Sequence, residues 1–244
     1  MDDLVQTRRQ HYGDHPSQFV DISTPVDQPI GTIVSYHGGY WRAKYGLELH
    51  DPIVEHCVGR GWTVVNTEYR RVEPESTGVW ADMSTDVVAA ARIARDLSSG
   101  PLIALGHSAG GQLALWLAAQ RDPAIDAVVA LAPVTDLFHA DRLASSDHAT
   151  AELFGAPAAE APDRYRAASP LHLLPLGVPQ LLVHGPLDAS VPYESASAYV
   201  EAAHAAGDDV TLIDPPDIDH FDVINPEHVV WRHVDGFFEA QRPE

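Results

Sequence analysis

The sequence predicts an α/β fold, in which a mostly parallel sheet is flanked by helices on both faces. Short apolar runs rich in β-branched residues alternate with longer alanine-rich stretches, as expected of strand-helix-strand crossover units. The run at residues 31–36 (GTIVSY) is nearly all apolar and predicts a central strand, whereas the run at 18–22 (QFVDI) alternates and predicts an outer one. Because the 244 residues contain no repeat, linker or charge block, we expect residues 1–244 to form one domain.

The remaining elements follow in chain order. Strands are predicted at residues 18–22, 31–36, 62–66, 102–105, 127–131, 180–183 and 210–213. Helices are predicted at about 47–59, 82–97, 109–120, 192–205 and 227–240, with Pro192 and Pro226 in first-turn positions and Asn225 as an N-cap. Residues 136–170, rich in Ala, Asp, His and Pro, break the alternation and predict a helical insertion over one edge of the sheet, either a lid or a structural flap.

Composition excludes several classes of function. With 15 basic and 35 acidic side chains, the formal net charge is −20, and such a surface repels nucleic acid and anionic membranes. Lys44 is the only lysine and Cys57 the only cysteine, which disfavours Schiff-base chemistry, internal disulfides and cysteine metal sites. No apolar run is long enough for a signal peptide or a membrane span, so we expect a cytoplasmic protein. A homodimer is an open alternative to a monomer.

The strongest local signal is the motif GHSAG at residues 106–110, between an apolar strand and a helical run. A G-x-S-x-G motif in this context is typical of a nucleophile elbow, a tight turn that projects the Ser108 hydroxyl above the sheet. The N-terminus of the following helix also places a positive dipole near developing negative charge. Because the glycine spacing of dinucleotide and nucleotide triphosphate loops is missing, we expect no cofactor.

A serine nucleophile needs a base and an acid, which follow a nucleophile elbow in the order Asp or Glu, then His. Asp188 comes directly after a predicted strand, so we expect it at the same sheet edge as Ser108. His220 lies between the last strand and the last helix, where the base is expected. His228 and His233 also satisfy the chain order, but both fall on the predicted last helix, so His220 is the favoured base.

Donors for an oxyanion are expected in a loop that follows an earlier central strand. The motif HGGYW at residues 37–41 is such a loop, because Gly38 and Gly39 let the backbone approach a substrate. An N–H from Gly39 or Tyr40 would then act together with the N–H of Ala109. Three histidines beside these motifs are expected to have structural roles, namely His37, His107 and His184.

An acidic loop around the predicted base raises the question of a metal site. It contains Asp214, Asp217, Asp219, His220 and Asp222. Oxygen and imidazole ligands suit hard cations and zinc, but neither the H-E-x-x-H nor the EF-hand spacing is present. We therefore expect a solvated loop and no metal.

Three motifs together resemble the arylformamidase (kynurenine formamidase) branch of the α/β-hydrolases, namely HGGYW at 37–41, GHSAGG at 106–111 and DHFDVI at 219–224. The resemblance implies an α/β-hydrolase fold and hydrolysis of N-formyl-L-kynurenine to L-kynurenine and formate. It also implies that Ser108 is the nucleophile, Asp188 the acid and His220 the base.

Two alternatives to this activity stay open. A carboxylesterase acting on small acyl esters would use the same triad, and a non-catalytic ligand-binding homologue is a more remote alternative. In either hydrolase the partner is a small aryl formamide or ester, and four aromatic residues are candidates for its pocket, namely Tyr40, Trp41, Tyr45 and Phe138.

Overall fold

A computed structural model describes residues 5–143 and 145–243, and within these ranges eight strands form one sheet. The strands are β1 (Val5–His11), β2 (Phe19–Pro25), β3 (Thr32–Tyr36), β4 (Thr63–Thr67), β5 (Leu102–His107), β6 (Ala127–Leu131), β7 (Gln180–Val183) and β8 (Val210–Ile213). Their order in the sheet is β1-β2-β4-β3-β5-β6-β7-β8. Strand β2 is antiparallel to both neighbours, and all pairs from β4 to β8 are parallel, which confirms the predicted mostly parallel sheet.

Helices cover both faces of the sheet. They are α1 (Asp51–Val58), α2 (Trp80–Leu97), α3 (Ala109–Ala118), α4 (Leu137–Arg142), α5 (Ser145–Phe154), α6 (Pro162–Ala168), α7 (Tyr193–Ala206) and α8 (Trp231–Ala240), with short 3-10 helices at Leu47–His50, Pro170–His172 and Asp222–Ile224. Neighbouring residues of β3 enter opposite cores, as the two-residue period of a strand requires. Ile33 packs in the core that contains Trp231 of α8, and Val34 packs in the core that contains Val87 of α2. No helix of the described residues is both long and apolar enough to cross a membrane.

The edge strand β1 is an element that the sequence pattern does not predict. Its sequence, VQTRRQH, is mostly polar and so lacks the alternation or apolar run that marks a strand. It pairs with β2 from Val5 opposite Pro25 to His11 opposite Phe19, and charged side chains are common on such edges. Tertiary pairing, rather than local apolar pattern, therefore determines β1.

The beginning of the last helix corrects another expectation. Helix α8 begins at Trp231, whose indole N–H donates to the carbonyl of Val223 (2.9 Å). Asn225 is therefore not its N-cap, and its Oδ1 instead accepts the N–H of Glu227 (3.1 Å) within a turn that also contains Pro226. The predicted first-turn position of Pro192 is also wrong by one residue, because Pro192 is the N-cap of α7.

The insertion, defined as residues 136–170, forms the predicted short helices α4, α5 and α6 between β6 and β7. Its C-terminal part is bonded to α3, where the Gln112 side-chain amide donates to the carbonyl of Ala168 (2.9 Å). Its middle is tied to the loop after β3, where Arg42 Nε donates to Glu152 Oε2 of α5 (2.7 Å). The insertion is thus bonded to helix α3 and to the loop after β3.

Candidate active site

Ser108 occupies the turn between β5 and α3 with φ 55° and ψ −118°, a strained backbone conformation for a residue with a side chain. Its N–H donates to the carbonyl of Leu131 (2.8 Å), and its own carbonyl accepts the N–H of Gln112 (3.1 Å). The turn also requires glycine at Gly110, where an added Cβ would collide with the carbonyl oxygen of Tyr36. The predicted elbow geometry is therefore present at Ser108.

Asp188 lies in the loop after β7 with a fully buried side chain. One carboxylate oxygen, Oδ1, accepts the N–H groups of Ser190 (2.7 Å) and Val191 (2.8 Å). The other, Oδ2, lies 2.7 Å from His220 Nδ1 and 3.0 Å from His184 Nε2. Burial alone would raise the pKa of Asp188, but the contacts with the two histidines outweigh it and lower the pKa well below its ordinary value. Asp188 is therefore a carboxylate at neutral pH.

The loop around His220 is held by hydrogen bonds on both sides of that residue. The Asp219 carboxylate accepts the N–H groups of Phe221 (2.7 Å) and Asp222 (3.0 Å), which lowers the pKa of Asp219. His107 Nε2 lies 2.9 Å from the carbonyl oxygen of His220. The carboxylate of Asp219 thus orders the backbone of this loop. In the described residues, no group of three or more His, Cys, Asp or Glu side chains is arranged to hold a metal ion.

Ser108 and His220 line the same cavity, which opens to solvent. Because Nδ1 of His220 is paired with Asp188, Nε2 is the ring nitrogen available to the serine. No hydrogen bond joins the two side chains in the described chain, and catalytic pairs often align only when substrate binds. The other two candidate bases, His228 and His233, do not line this cavity.

The loop after β3 passes directly beside Ser108. A Cβ added to Gly38 would lie 3.1 Å from the Cβ of Ser108, and Gly39 and Tyr40 both have positive φ values, 114° and 55°. Within the described residues, neither the Tyr40 N–H nor the Ala109 N–H at the start of α3 donates to a backbone acceptor. The N–H groups of Tyr40 and Ala109, two of the predicted oxyanion donors, thus have no backbone acceptor within the described residues.

His37 holds this loop, as expected from the sequence. Its Nδ1 lies 2.7 Å from the carbonyl oxygen of Gly38, its Nε2 lies 3.1 Å from Glu68 Oε1, and its ring stacks on Tyr69. Because a trans peptide is planar, fixing the direction of the Gly38 carbonyl also fixes the direction of the Gly39 N–H. His37 therefore orients one of the candidate oxyanion donors.

Glu68 and Arg71 support His37 and are functional candidates that the sequence reasoning misses. The Glu68 carboxylate contacts the Arg71 guanidinium and accepts the backbone N–H groups of Tyr69 (3.1 Å) and Leu47 (3.2 Å). Burial alone would raise the pKa of Glu68, but His37 and Arg71 lower it below its ordinary value. The only signal in the sequence is an acid and a base three residues apart, directly after a buried strand.

Aromatic and aliphatic side chains surround the candidate catalytic groups. The cavity is lined by Gly39, Tyr40, Tyr45, Leu49, His107, Ser108, His220, Phe221 and Ile224. Tyr40 and Tyr45 thus lie where the sequence places pocket residues, whereas Leu49, Phe221 and Ile224 are additions from the structure. Phe221 is 62% exposed, so this side of the cavity opens to solvent.

The other two predicted pocket residues lie elsewhere. Trp41 is buried, donates its indole N–H to Gln112 Oε1 (3.0 Å) and lines a neighbouring cavity. Phe138 packs on Tyr165 and His172 within the insertion, so its assignment to the catalytic cavity is wrong. The reason is that the Asp136 side chain accepts the N–H of Phe138 (2.9 Å), which places Phe138 in the first turn of α4.

Comparison with known proteins agrees with this architecture. Esterase LipC of Mycobacterium tuberculosis is 27% identical over 91% of this chain, which spans 61% of LipC. A truncated carbohydrate esterase from gut microbiota superposes with a TM-score of 0.80 at 19% identity, covering 99% of this chain and 98% of that one. Thermogutta terrifontis esterase 2, phosphonylated by sarin, gives 0.78 at 21% identity, covering 98% and 97%. These structural likenesses confirm the predicted α/β-hydrolase fold.

A family match covers the part of the chain that carries the elbow, Asp188 and His220. Residues 77–240 match the prolyl oligopeptidase family, a stretch that runs from just before α2 to the end of α8. Since this match includes more than half of the sequence, the chain belongs to the prolyl oligopeptidase family.

Proposed function

We propose that the protein is a serine hydrolase that cleaves small acyl esters. The observation that carries the proposal is the pairing of His220 with the buried Asp188 at 2.7 Å, in a cavity that also contains the strained Ser108. Unpaired N–H groups beside the serine supply the electrostatic component that acyl transfer requires. The three similar proteins described above are named as esterases, which supports the ester as the scissile group.

The geometry performs acyl transfer in two stages. In the first, His220 Nε2 takes the proton of Ser108 as the serine oxygen attacks the carbonyl carbon, while Asp188 holds Nδ1–H and stabilises the imidazolium. The tetrahedral oxyanion accepts hydrogen bonds from the N–H groups of Tyr40 and Ala109. Collapse expels the alcohol, which takes its proton from the imidazolium and leaves an acyl-serine. Water, deprotonated by the same histidine, then releases the acid and restores the serine.

An arylformamidase is the second candidate, favoured by the HGGYW, GHSAGG and DHFDVI motifs and by the aromatic lining of the cavity. Tyr40, Tyr45 and Phe221 could contact an aryl leaving group. The substrate would be N-formyl-L-kynurenine, the acyl-serine would carry a formyl group, and the products would be L-kynurenine and formate. The chemical steps at Ser108 and His220 are the same for both candidates.

A fluorophosphonate probe and two substrates test these proposals. Wild-type protein and a Ser99→Ala control, altered at an exposed serine, should be labelled, and Ser108→Ala should not. Labelling of Ser108→Ala, or no labelling of the wild type, would overturn the serine mechanism and favour the ligand-binding alternative. The ratio of kcat/KM for p-nitrophenyl acetate to that for N-formyl-L-kynurenine then decides between the two candidates. A ratio well above one supports the esterase, and a ratio below one supports the arylformamidase.

A further inference from the structure

Gln112 is a fully buried polar residue in helix α3, which is otherwise made of Ala, Gly, Leu and Trp. A buried amide costs free energy unless both its donor and its acceptor have partners. Here Oε1 accepts the indole N–H of Trp41 (3.0 Å), and Nε2 donates to the carbonyl of Ala168 (2.9 Å). Because an indole only donates and a carbonyl only accepts, this orientation of the amide is unambiguous. The side chain of Gln112 thus links α3 to both the loop after β3 and the insertion.

The turn that Gln112 holds through Trp41 has a strained backbone. Gly39, Tyr40 and Trp41 have φ values of 114°, 55° and 59°, and the last two carry bulky side chains. Such a conformation persists only when the surrounding structure holds it in place. The carbonyl of Trp41 accepts the N–H of Val72 (2.8 Å), which fixes the turn to the segment after β4. The indole bond to Gln112 fixes the same turn to α3.

The backbone of Gln112 is bonded to the candidate nucleophile as well. Its N–H donates to the carbonyl of Ser108 (3.1 Å), one helical turn earlier in the chain. Ala109, which carries one candidate oxyanion donor, lies in that same turn of α3. Gln112 therefore connects the side of the site that contains Ser108 and Ala109 to the segment that contains Tyr40, the residue directly before Trp41. The relative position of the two candidate donors depends on this connection.

We propose that Gln112 is a positioning residue, which holds Trp41 so that the Tyr40 N–H points to the place where the oxyanion forms. Among the described residues, Gln112 is not part of the wall of the catalytic cavity, so it acts through Trp41 and not on the substrate. An oxyanion donor is effective only when it is aimed in advance at the developing charge. This inference rests on the proposed serine hydrolase function, and it applies to an ester and to a formamide because both pass through a tetrahedral oxyanion.

Two substitutions break the bond between Trp41 and Gln112 from opposite sides. Trp41→Phe removes the indole donor and keeps an aromatic ring, and Gln112→Met removes the acceptor and keeps the length of the side chain. The substrate is whichever of p-nitrophenyl acetate and N-formyl-L-kynurenine the wild type hydrolyses faster. Each variant should lower kcat about 10- to 100-fold with KM nearly unchanged, because a displaced donor costs mainly transition-state stabilisation. The inhibition constant of a trifluoromethyl ketone, whose adduct with Ser108 carries the same oxyanion, should rise by a similar factor.

Two matched controls separate positioning from stability. Trp116→Phe also removes an indole donor from α3, but this donor bonds the carbonyl of Ala167 in the insertion (3.2 Å) and not the HGGYW segment. Gln180→Met also removes a buried amide, one that accepts the Tyr199 hydroxyl (2.6 Å) at the start of β7. Both controls should lower the melting temperature and leave kcat and the inhibition constant close to those of the wild type.

A purely structural role for Gln112 predicts a different pattern, in which all four variants melt earlier and neither kcat nor the inhibition constant changes. That result, or an equal loss of kcat in Trp41→Phe and Trp116→Phe, would overturn the positioning role and leave the serine mechanism intact. If one of the two test variants does not fold, the other decides alone. A wild-type protein that hydrolyses neither substrate and is not labelled by the fluorophosphonate would instead refute the proposed function, and the positioning role with it.

Discussion

Replacing Asp188 by asparagine tests the candidate triad most directly. Four groups approach the carboxylate: two backbone N–H groups at Oδ1, and the rings of His220 and His184 at Oδ2. An asparagine that keeps its oxygen on the backbone side must turn its NH₂ toward His220. Nδ1 of His220 must then accept a hydrogen bond from this NH₂ group, so the ring proton lies on Nε2. A protonated Nε2 can no longer take the proton of Ser108.

The size of the effect follows from this change of tautomer. A triad histidine held in the wrong tautomer loses about 10⁴-fold in kcat, and each factor of ten corresponds to about 1.4 kcal/mol, so the barrier should rise by about 5.5 kcal/mol. The oxyanion donors are untouched by the substitution. We therefore expect the Asp188→Asn variant to retain slow hydrolysis above the uncatalysed rate.

Measurement of kcat for p-nitrophenyl acetate at pH 8, together with a melting curve, checks this prediction. Asp217→Asn is the matched control, because Asp217 is an exposed acid in the loop that precedes His220. The kcat of this variant should stay within about twofold of wild type. A folded Asp188→Asn protein with kcat within tenfold of wild type would refute the role given to Asp188.

Three further predictions concern the surroundings of the triad. Gly39→Ala introduces a side chain at φ 114° that collides with Tyr45 of the cavity, so kcat should fall about a hundredfold and KM should rise, as steady-state kinetics on p-nitrophenyl acetate will show. Glu68→Gln leaves the buried guanidinium of Arg71 without its carboxylate, and urea unfolding should show a loss of about 3–5 kcal/mol in the free energy of unfolding. Burial and the nearby His220 lower the pKa of His107 to about 3, so the unfolded chain takes up a proton first as the pH falls, and stability contributed by this residue is lost between about pH 6.5 and 3. Urea unfolding of His107→Gln between pH 7 and 5 should therefore show a pH dependence shallower by up to about 1.4 kcal/mol per pH unit, and an unchanged slope would contradict the assignment.

The sequence predicts the central sheet well because its strands carry a strong local signal. Strands β6, β7 and β8 have the predicted bounds, since short β-branched apolar runs between turns have few other structures available. Strand β1 has no such signal, because a polar edge strand is determined by its partner β2. Helix α8 begins at Trp231 rather than at residue 227, because Asn225 and Pro226 belong to a turn that precedes it.

In the candidate site, too, the sequence predicts residues that have a local signal and misses contacts that depend on the folded chain. Ser108, Asp188 and His220 can be selected from sequence because each follows a strand at the carboxyl edge and each has the residue type that the chemistry requires. The position of Phe138 depends on how the insertion folds on itself, which no local pattern specifies. The contact of His184 with Asp188 also needs the folded loop, although the two residues are only four apart in sequence.

The ion pair between Arg42 and Glu152 makes one part of this site sensitive to ionic strength. Both side chains are partly exposed, 27% and 35%, so dissolved salt screens their attraction, whereas the carboxylate of Asp188 is fully enclosed and keeps its partners. Arg42 directly follows the HGGYW motif at residues 37–41, and Glu152 belongs to helix α5 of the insertion. Added salt should therefore weaken the link between the insertion and the loop beside Ser108, while the pairing of Asp188 with His220 is retained.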